Sequence, residues 1–222
     1  MSLRAFYLTV FLGFFFSTAV FAQLPAEGWA GDNQQKLTAL IKQYGKNSPD
    51  YDAQHKPVAA FDWDNTMMKN DVGEATLLWM VAHHQVKRPA SFAQMNPWLS
   101  KAALKELDKN CAGTGPYLPT DKPACADSLL NVYYDAPLAD GATAWEKSPD
   151  ENRVFPRYFF YAQLFAGYTP KELKQITQHA LQFNLTNPIG QTQKIGNKEY
   201  PAYVRIYKPM KDLVKELKSN GF

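Results

Sequence analysis

Two carboxylates stand two residues apart in the stretch VAAFDWDNTMMKND, which runs from Val58 to Asp71. They are Asp62 and Asp64, and they follow directly on the apolar run Val58–Phe61. A buried acid is costly unless something pairs with it, so an apolar run that ends in two acids asks for a chemical reason. A carboxylate can act as a nucleophile and form an aspartyl-phosphate intermediate. A second acid beside it can protonate the leaving oxygen and then take a proton from water. Mg²⁺ would offset the repulsion between two carboxylates and an incoming phosphate, using one or two acids with phosphate oxygens and waters. Asp62 is placed for the nucleophile and ligand role and Asp64 for the proton role. Asp-x-Asp-Asn also occurs in turns and calcium loops. An EF-hand loop counted from Asp62 would need Gly at its sixth position and Glu at its twelfth, where this chain has Met67 and Gly73. A plain surface turn leaves the apolar run unexplained.

Other reactive side chains are few. Cys111 and Cys125 are the two cysteines, too few for a structural zinc site. In an oxidising compartment they would pair, and otherwise they would be reduced buried thiols. His83 and His84 are adjacent, and adjacent residues on a helix point apart, which disfavours a shared metal. No Gly-x-Ser-x-Gly elbow, His-Glu-x-x-His motif or Cys-His arrangement supports another hydrolase chemistry.

The elements that must carry the two acids can be read from periodicity. VAAFD is too short and too uniformly apolar for a surface helix, and it reads as a strand buried on both faces in a parallel sheet. Such a strand delivers its C-terminal end to the site face of an α/β fold. Before it, Leu37, Leu40, Ile41 and Tyr44 repeat at helical spacing, with Asp32 or Asn33 as cap and Gly45 as stop. After it, Gly73 to about Val86 reads as helix. Residues 87–152 are rich in Pro, Gly, Asn and Asp and read as short helices and loops, one of them around SKAALKELDKN. RVFPRYFFYAQLFAGY resumes a helix. GYTPKELKQITQHALQFNLTN carries the clearest helix start, with Thr169 as N-cap, Pro170 at N1 and Glu172 at N3. The final helix presents Met210, Leu213, Val214 and Leu217 on one face, with Gly221 after its end.

Composition bounds the rest. The chain has 222 residues, 45% of them hydrophobic, enough for one or two packed domains. Its 24 basic and 21 acidic residues give +3, with no basic stripe, so no nucleic-acid partner is expected. Residues 1–22 have one positive charge, Arg4, then an apolar run ending in Val20-Phe21-Ala22. That is the grammar of a secretory signal peptide cleaved between Ala22 and Gln23, and it predicts a periplasmic or secreted protein with no stable membrane anchor after cleavage. The alternative is an uncleaved anchor, since Ala5–Ala22 comes close to the length of a span.

VAAFDWDNT resembles the first motif of the haloacid dehalogenase (HAD) superfamily, an apolar strand followed by Asp-x-Asp-x-Thr. The resemblance implies that Asp62 attacks phosphorus, that Asp64 is the general acid/base and gives its backbone carbonyl to Mg²⁺, and that Thr66 steadies the loop at the substrate. A second Asp is typical of the superfamily's phosphatases, and phosphorylcholine phosphatase-like exported proteins are the most similar subgroup. The implied function is a Mg²⁺-dependent phosphomonoesterase acting on a small phosphomonoester.

The implied architecture is α/β, a Rossmann-like core with a large, mainly helical cap. Residues 23–72 would begin the core, 73–200 would form the cap and 201–222 would return to the core. The cap aromatics Trp79, Trp98 and Trp145 could either pack or cage a quaternary ammonium group. In that family a Ser or Thr, a Lys and further acids follow in later motifs. None follows Phe222, which predicts a chain that is part of a longer phosphatase and has no significant activity alone. It also predicts that the strand at Val58 is left without neighbours. A secreted binding module derived from a phosphatase is the second reading.

Overall fold

The computed structural model describes residues 23–146 and 156–222. The expected signal segment, residues 1–22, lies outside the described residues. The chain divides into two compact units, one holding the residues up to 60 together with 211–222, the other 61–210.

In the first unit, α1 (Asn33–Tyr44) buries Ile41, and Gly45 follows it directly. Gly45 takes an ordinary extended φ of −78°. A Cβ there would come within 2.5 Å of the Ile41 carbonyl, so it is close approach rather than left-handed backbone that requires glycine. The Lys46 amide donates to the Asn220 carbonyl at 2.8 Å, and the Tyr51 hydroxyl to the Gly221 carbonyl at 3.1 Å. These bonds tie the segment after α1 to the end of the chain.

The second unit is built in chain order from β1 (Met68–Lys69), α2 (Val72–Ala82), α3 (Phe92–Met95), α4 (Lys101–Asn110), α5 (Pro123–Tyr134), α6 (Pro156–Gln163), α7 (Pro170–Thr186), β2 (Thr192–Ile195), β3 (Lys198–Pro201) and β4 (Arg205–Ile206). The last helix is α8 (Lys208–Ser219). α2 packs along α7, and α4 along α5. α2 is the central helix because it is apolar nearly all round: Ala75, Leu77, Leu78, Met80 and Val81 are all buried. Its one buried hydroxyl, on Thr76, donates to the Val72 carbonyl at 2.7 Å. α7 starts as its sequence requires, with Thr169 and Glu172 in a reciprocal capping box and Pro170 in the first turn.

Cys111 and Cys125 form a disulfide with Cα atoms 4.7 Å apart, joining the end of α4 to the first turn of α5. Both sit in the hydrophobic core.

The sheet content is small. β1 pairs antiparallel with β4 (Met68 opposite Ile206), and β2 with β3. The β2–β3 hairpin turns through Gly196-Asn197. Gly196 has φ +62°, as the first central residue of such a two-residue turn demands. The Asp127 carboxylate on α5 accepts from the Asn197 amide at 2.9 Å and from its side chain at 2.6 Å.

The fold is therefore mixed α/β, and it departs from the expected buried strand. Val58–Asp62 forms neither helix nor ladder, and Val58 is 88% exposed. A strand exists through its neighbours, and no described residue pairs with this one, so its backbone groups turn to water. Among the described residues, no helix is long and apolar enough to cross a membrane.

Candidate functional site

The loop that carries the two acids folds as a tight turn. The Met67 amide donates to the Trp63 carbonyl at 2.8 Å, and Asn65 takes φ +52° inside the turn. Asn tolerates that left-handed conformation better than most residues because its short side chain can bond locally. The Thr66 hydroxyl donates to Asp62 Oδ2 at 2.9 Å, so Thr66 orients the first carboxylate. The turn is pinned on its C-terminal side. Met67 and Met68 are buried, the Tyr207 amide donates to the Met67 carbonyl at 3.0 Å, and β1 pairs with β4. Burying two Met side chains contributes a few kcal/mol, on the order of 1.5–3 each if complete, and fixes where the loop emerges.

Asp62 and Asp64 project from this anchor into water, and both are exposed. Neither has a cation within ion-pair distance among the described residues. The structure brings Thr66 onto Asp62. It gives Asp64 a bridge to Met68 through the backbone and no side-chain hydrogen bond from the described residues. Two open carboxylates suit a hard cation that keeps several waters and takes phosphate oxygens as further ligands. They furnish only part of a coordination shell, since no group of three or more His, Cys, Asp or Glu able to hold a metal occurs among the described residues.

A second cluster begins a few residues on, at the start of α2. Asp71 caps the helix, its carboxylate accepting from the amides of Gly73 (2.9 Å) and Glu74 (3.3 Å). The Tyr134 hydroxyl donates to Glu74 Oε1. Around these acids the rings of Tyr133, Tyr134, Tyr161 and Tyr200 touch in sequence. Tyr133 lies 5.4 Å from Tyr161 and 4.7 Å from Tyr134, and Tyr134 lies 5.5 Å from Tyr200. The Tyr161 hydroxyl rests on Gly73, where an added Cβ would sit 2.2 Å from it. Burial raises the pKa of Tyr133, Tyr134 and Tyr161; the charges of Glu74 and Asp71 raise Tyr133 and Tyr161 further, and the hydrogen bond to Glu74 and its charge raise Tyr134. Tyr200 is pushed up to about 12, by burial first and then by Asp127. Neither Asp71 nor Glu74 has a cation within ion-pair distance among the described residues. Arg157, which also acts on Tyr133, is stacked on Tyr158 with its carbon 4.8 Å from the ring centre. Ring faces and uncompensated carboxylates together attract an organic cation.

The three tryptophans named as possible cage residues do not meet in one place. Trp79 stacks on His83 at 3.6 Å, Trp98 lies against Phe159 at 5.6 Å, and Trp145 meets Phe160 at 6.0 Å. The tyrosine cluster is the one that surrounds acids. Its sequence trace was the pair Tyr133-Tyr134 and the acids Asp71 and Glu74, three apart in a helix's first turn, which read equally well as capping.

No protein-family model matches the chain, and no curated protein does. Among solved structures, the chain is similar to the crystal structure of a conserved functionally unknown protein from Anaerococcus prevotii DSM 20548. The TM-score is 0.63 at 20% identity, over 90% of this chain and 61% of the other. The chain thus spans about three-fifths of that neighbour's length, and at this identity the likeness shows that the two share a mixed α/β fold.

Proposed function

We propose that the chain carries the nucleophile loop of a HAD-type, Mg²⁺-dependent phosphomonoesterase with an aspartyl-phosphate intermediate. The substrate is a small phosphomonoester with a cationic head group, of which phosphorylcholine is the model. The observation that carries this reading is the loop itself: two open carboxylates, the first oriented by Thr66, on a turn anchored by buried methionines. In this reading Asp62 attacks phosphorus and the leaving alkoxide departs with a proton from Asp64. Asp64 then takes a proton from the water that hydrolyses the acyl phosphate. Bound Mg²⁺ would neutralise phosphate charge beside the two carboxylates, with Asp62 and Asp64 as its protein ligands here. The Tyr133–Tyr134–Tyr161 cluster with Glu74 supports a quaternary ammonium head group. The buried disulfide supports an oxidising compartment, in line with export.

A second reading is a non-catalytic binding module. It is favoured by one contrast: the aromatic and acidic cluster is assembled within the described residues, whereas the described residues gather no third metal ligand beside the catalytic pair. In both readings the chain alone is expected to show no significant turnover of phosphorylcholine.

The test is titration of the full chain with phosphorylcholine and with choline, each with and without Mg²⁺, alongside a phosphate-release assay. The phosphatase reading expects Mg²⁺ to tighten phosphorylcholine binding but not choline binding, and expects Asp62→Asn to remove the Mg²⁺ effect. Choline binding with no Mg²⁺ effect on either ligand would favour the binding module. Turnover abolished by Asp62→Asn would overturn the expectation that the chain is inactive alone.

A further inference from the structure

A cleft of about 370 Å³ opens in the second unit between the Lys87–Pro89 segment, Pro116 and the end of α6, and none of its lining residues belongs to the loop or the tyrosine cluster. Its size falls in the range of small-molecule sites, roughly 300–1,000 Å³. Its walls are apolar, from Pro89, Met95, Pro116 and Leu164. The amide of Gln163 is already committed at both ends: it donates to the Met95 carbonyl and accepts from Asn96 Nδ2 at 3.1 Å. One N–H of Gln163 remains, and the charged recognition left to a ligand is cationic, from Lys87 and Arg88.

Neither cation is neutralised. Arg88 donates to the carbonyls of Gly115 (2.9 Å), Cys111 (2.7 Å) and Tyr117 (3.1 Å), all uncharged acceptors. A guanidinium has five N–H donors, so among the described residues two stay uncommitted. Lys87 donates to the Gly167 carbonyl and stands 4.1 Å from the centre of the Tyr168 ring. Among the described residues no carboxylate lies within 4.0 Å of either cation. The carboxylate that feels Lys87, Glu172, is spent on the α7 cap, accepting from the Thr169 amide and hydroxyl, each at 2.7 Å.

We infer that this cleft binds a small organic anion: a carboxylate held by Lys87 and Arg88, with an apolar body laid against Met95, Leu164 and the prolines. A fully hydrated inorganic anion would lose water to apolar walls that return no hydrogen bonds. An apolar acid loses none from its body and gains burial.

Calorimetric titration of the full chain with benzoate, hexanoate and inorganic phosphate tests this. Benzoate and hexanoate are expected to bind saturably and phosphate at least about tenfold more weakly, the step set by losing the apolar contacts. Lys87→Met, which keeps the apolar stem, is expected to weaken benzoate about tenfold. Ala166 is exposed and lines the cleft, so Ala166→Trp should fill it without disturbing the core and abolish binding. Glu74→Gln and Asp62→Asn should leave benzoate binding unchanged. The inference is overturned if neither carboxylate binds, if phosphate binds as well as benzoate, or if binding survives both Lys87→Met and Ala166→Trp in variants whose near-ultraviolet spectrum is native.

Discussion

Gly73→Ala sets two effects of similar size against each other, and the structure decides which wins. Gly73 lies in the first turn of α2, where alanine is intrinsically better than glycine by up to about 1 kcal/mol. Against this, the new Cβ would lie 2.2 Å from the Tyr161 hydroxyl oxygen and 3.3 Å from its ring carbon Cζ. The ring must move by more than an ångström to restore contact distance. That shift works against its packing with Tyr133 at 5.4 Å and Phe165 at 4.9 Å. Each such pair is worth about 0.5–1.5 kcal/mol, and forced overpacking costs roughly 1–3 kcal/mol. Net destabilisation of about 1–2 kcal/mol is expected. Tyr161→Phe removes the clashing oxygen and leaves two contacts at 3.3 Å, with the ring carbon Cζ and with Asp71 Oδ2, which shifts of a few tenths of an ångström relieve. In that background Gly73→Ala should be neutral or stabilising, which makes the coupling between the two sites about 1–2 kcal/mol. Urea denaturation of the four proteins of this cycle measures it. Stabilisation of the unmodified chain by Gly73→Ala, or the same effect with Tyr and Phe at 161, would show that the Tyr161 hydroxyl does not oppose a side chain at position 73.

Three other outcomes are expected. Cys111→Ala with Cys125→Ala releases a loop of 14 residues' separation, which costs about 3 kcal/mol in the chain-entropy model, and thermal unfolding should fall by roughly 6–12 °C. Tyrosines held above their ordinary pKa prefer the protonated form when folded, so their contribution is full below pH 10 and lost as pH rises through the folded values; for Tyr200 that window runs from about 10 to about 12. Urea midpoints taken from pH 8 to 11.5 should therefore decline from pH 10 upward, and less steeply in Tyr200→Phe. Gly196→Ala would place a Cβ 2.2 Å from the Asp127 carboxylate and strain a left-handed turn, so it should cost about 1–3 kcal/mol by urea denaturation and increase amide exchange in β2 and β3.

Local signals carried a good part of this fold into the sequence. The α7 start is legible because Thr169, Pro170 and Glu172 satisfy the first-turn amides without help from the rest of the chain. The last helix is legible because Leu213 and Leu217 share a buried stripe and Gly221 follows at φ +88°. The β2–β3 hairpin was not read, although Ile195-Gly196-Asn197-Lys198 is a hairpin signal: Thr192, Gln193 and Lys194 lack the apolar alternation that marks a strand, and Asp127 supplies much of the hold. α5 falls in the stretch that reads as short helices and loops, and its bounds are not legible there because its buried residues pack on other elements. Val58–Asp62 reads as a strand from its short, uniformly apolar run, yet a strand is made by neighbours, and the described residues supply none. Thr66 stands beside Asp62 in the sequence reading only through the motif resemblance; in the structure its hydroxyl donates to Asp62 Oδ2 across four residues. The tyrosine cluster was not, since its rings arrive from α5, α6 and β3 and meet only through tertiary packing.

In the proposed phosphatase, Asp62 accepts a phosphoryl group. The most direct measurement is to incubate the full chain with Mg²⁺ and an activated phosphoryl donor such as acetyl phosphate, reduce with borohydride and map the peptides by mass spectrometry. An aspartyl phosphate is reduced to homoserine, which marks its position. The expected result is Mg²⁺-dependent homoserine at position 62, absent when Asp62 is replaced by Asn and absent at Asp64. Homoserine at other acidic positions, or none at 62 in a chain that still binds choline, would contradict the phosphatase reading and leave the binding module in its place.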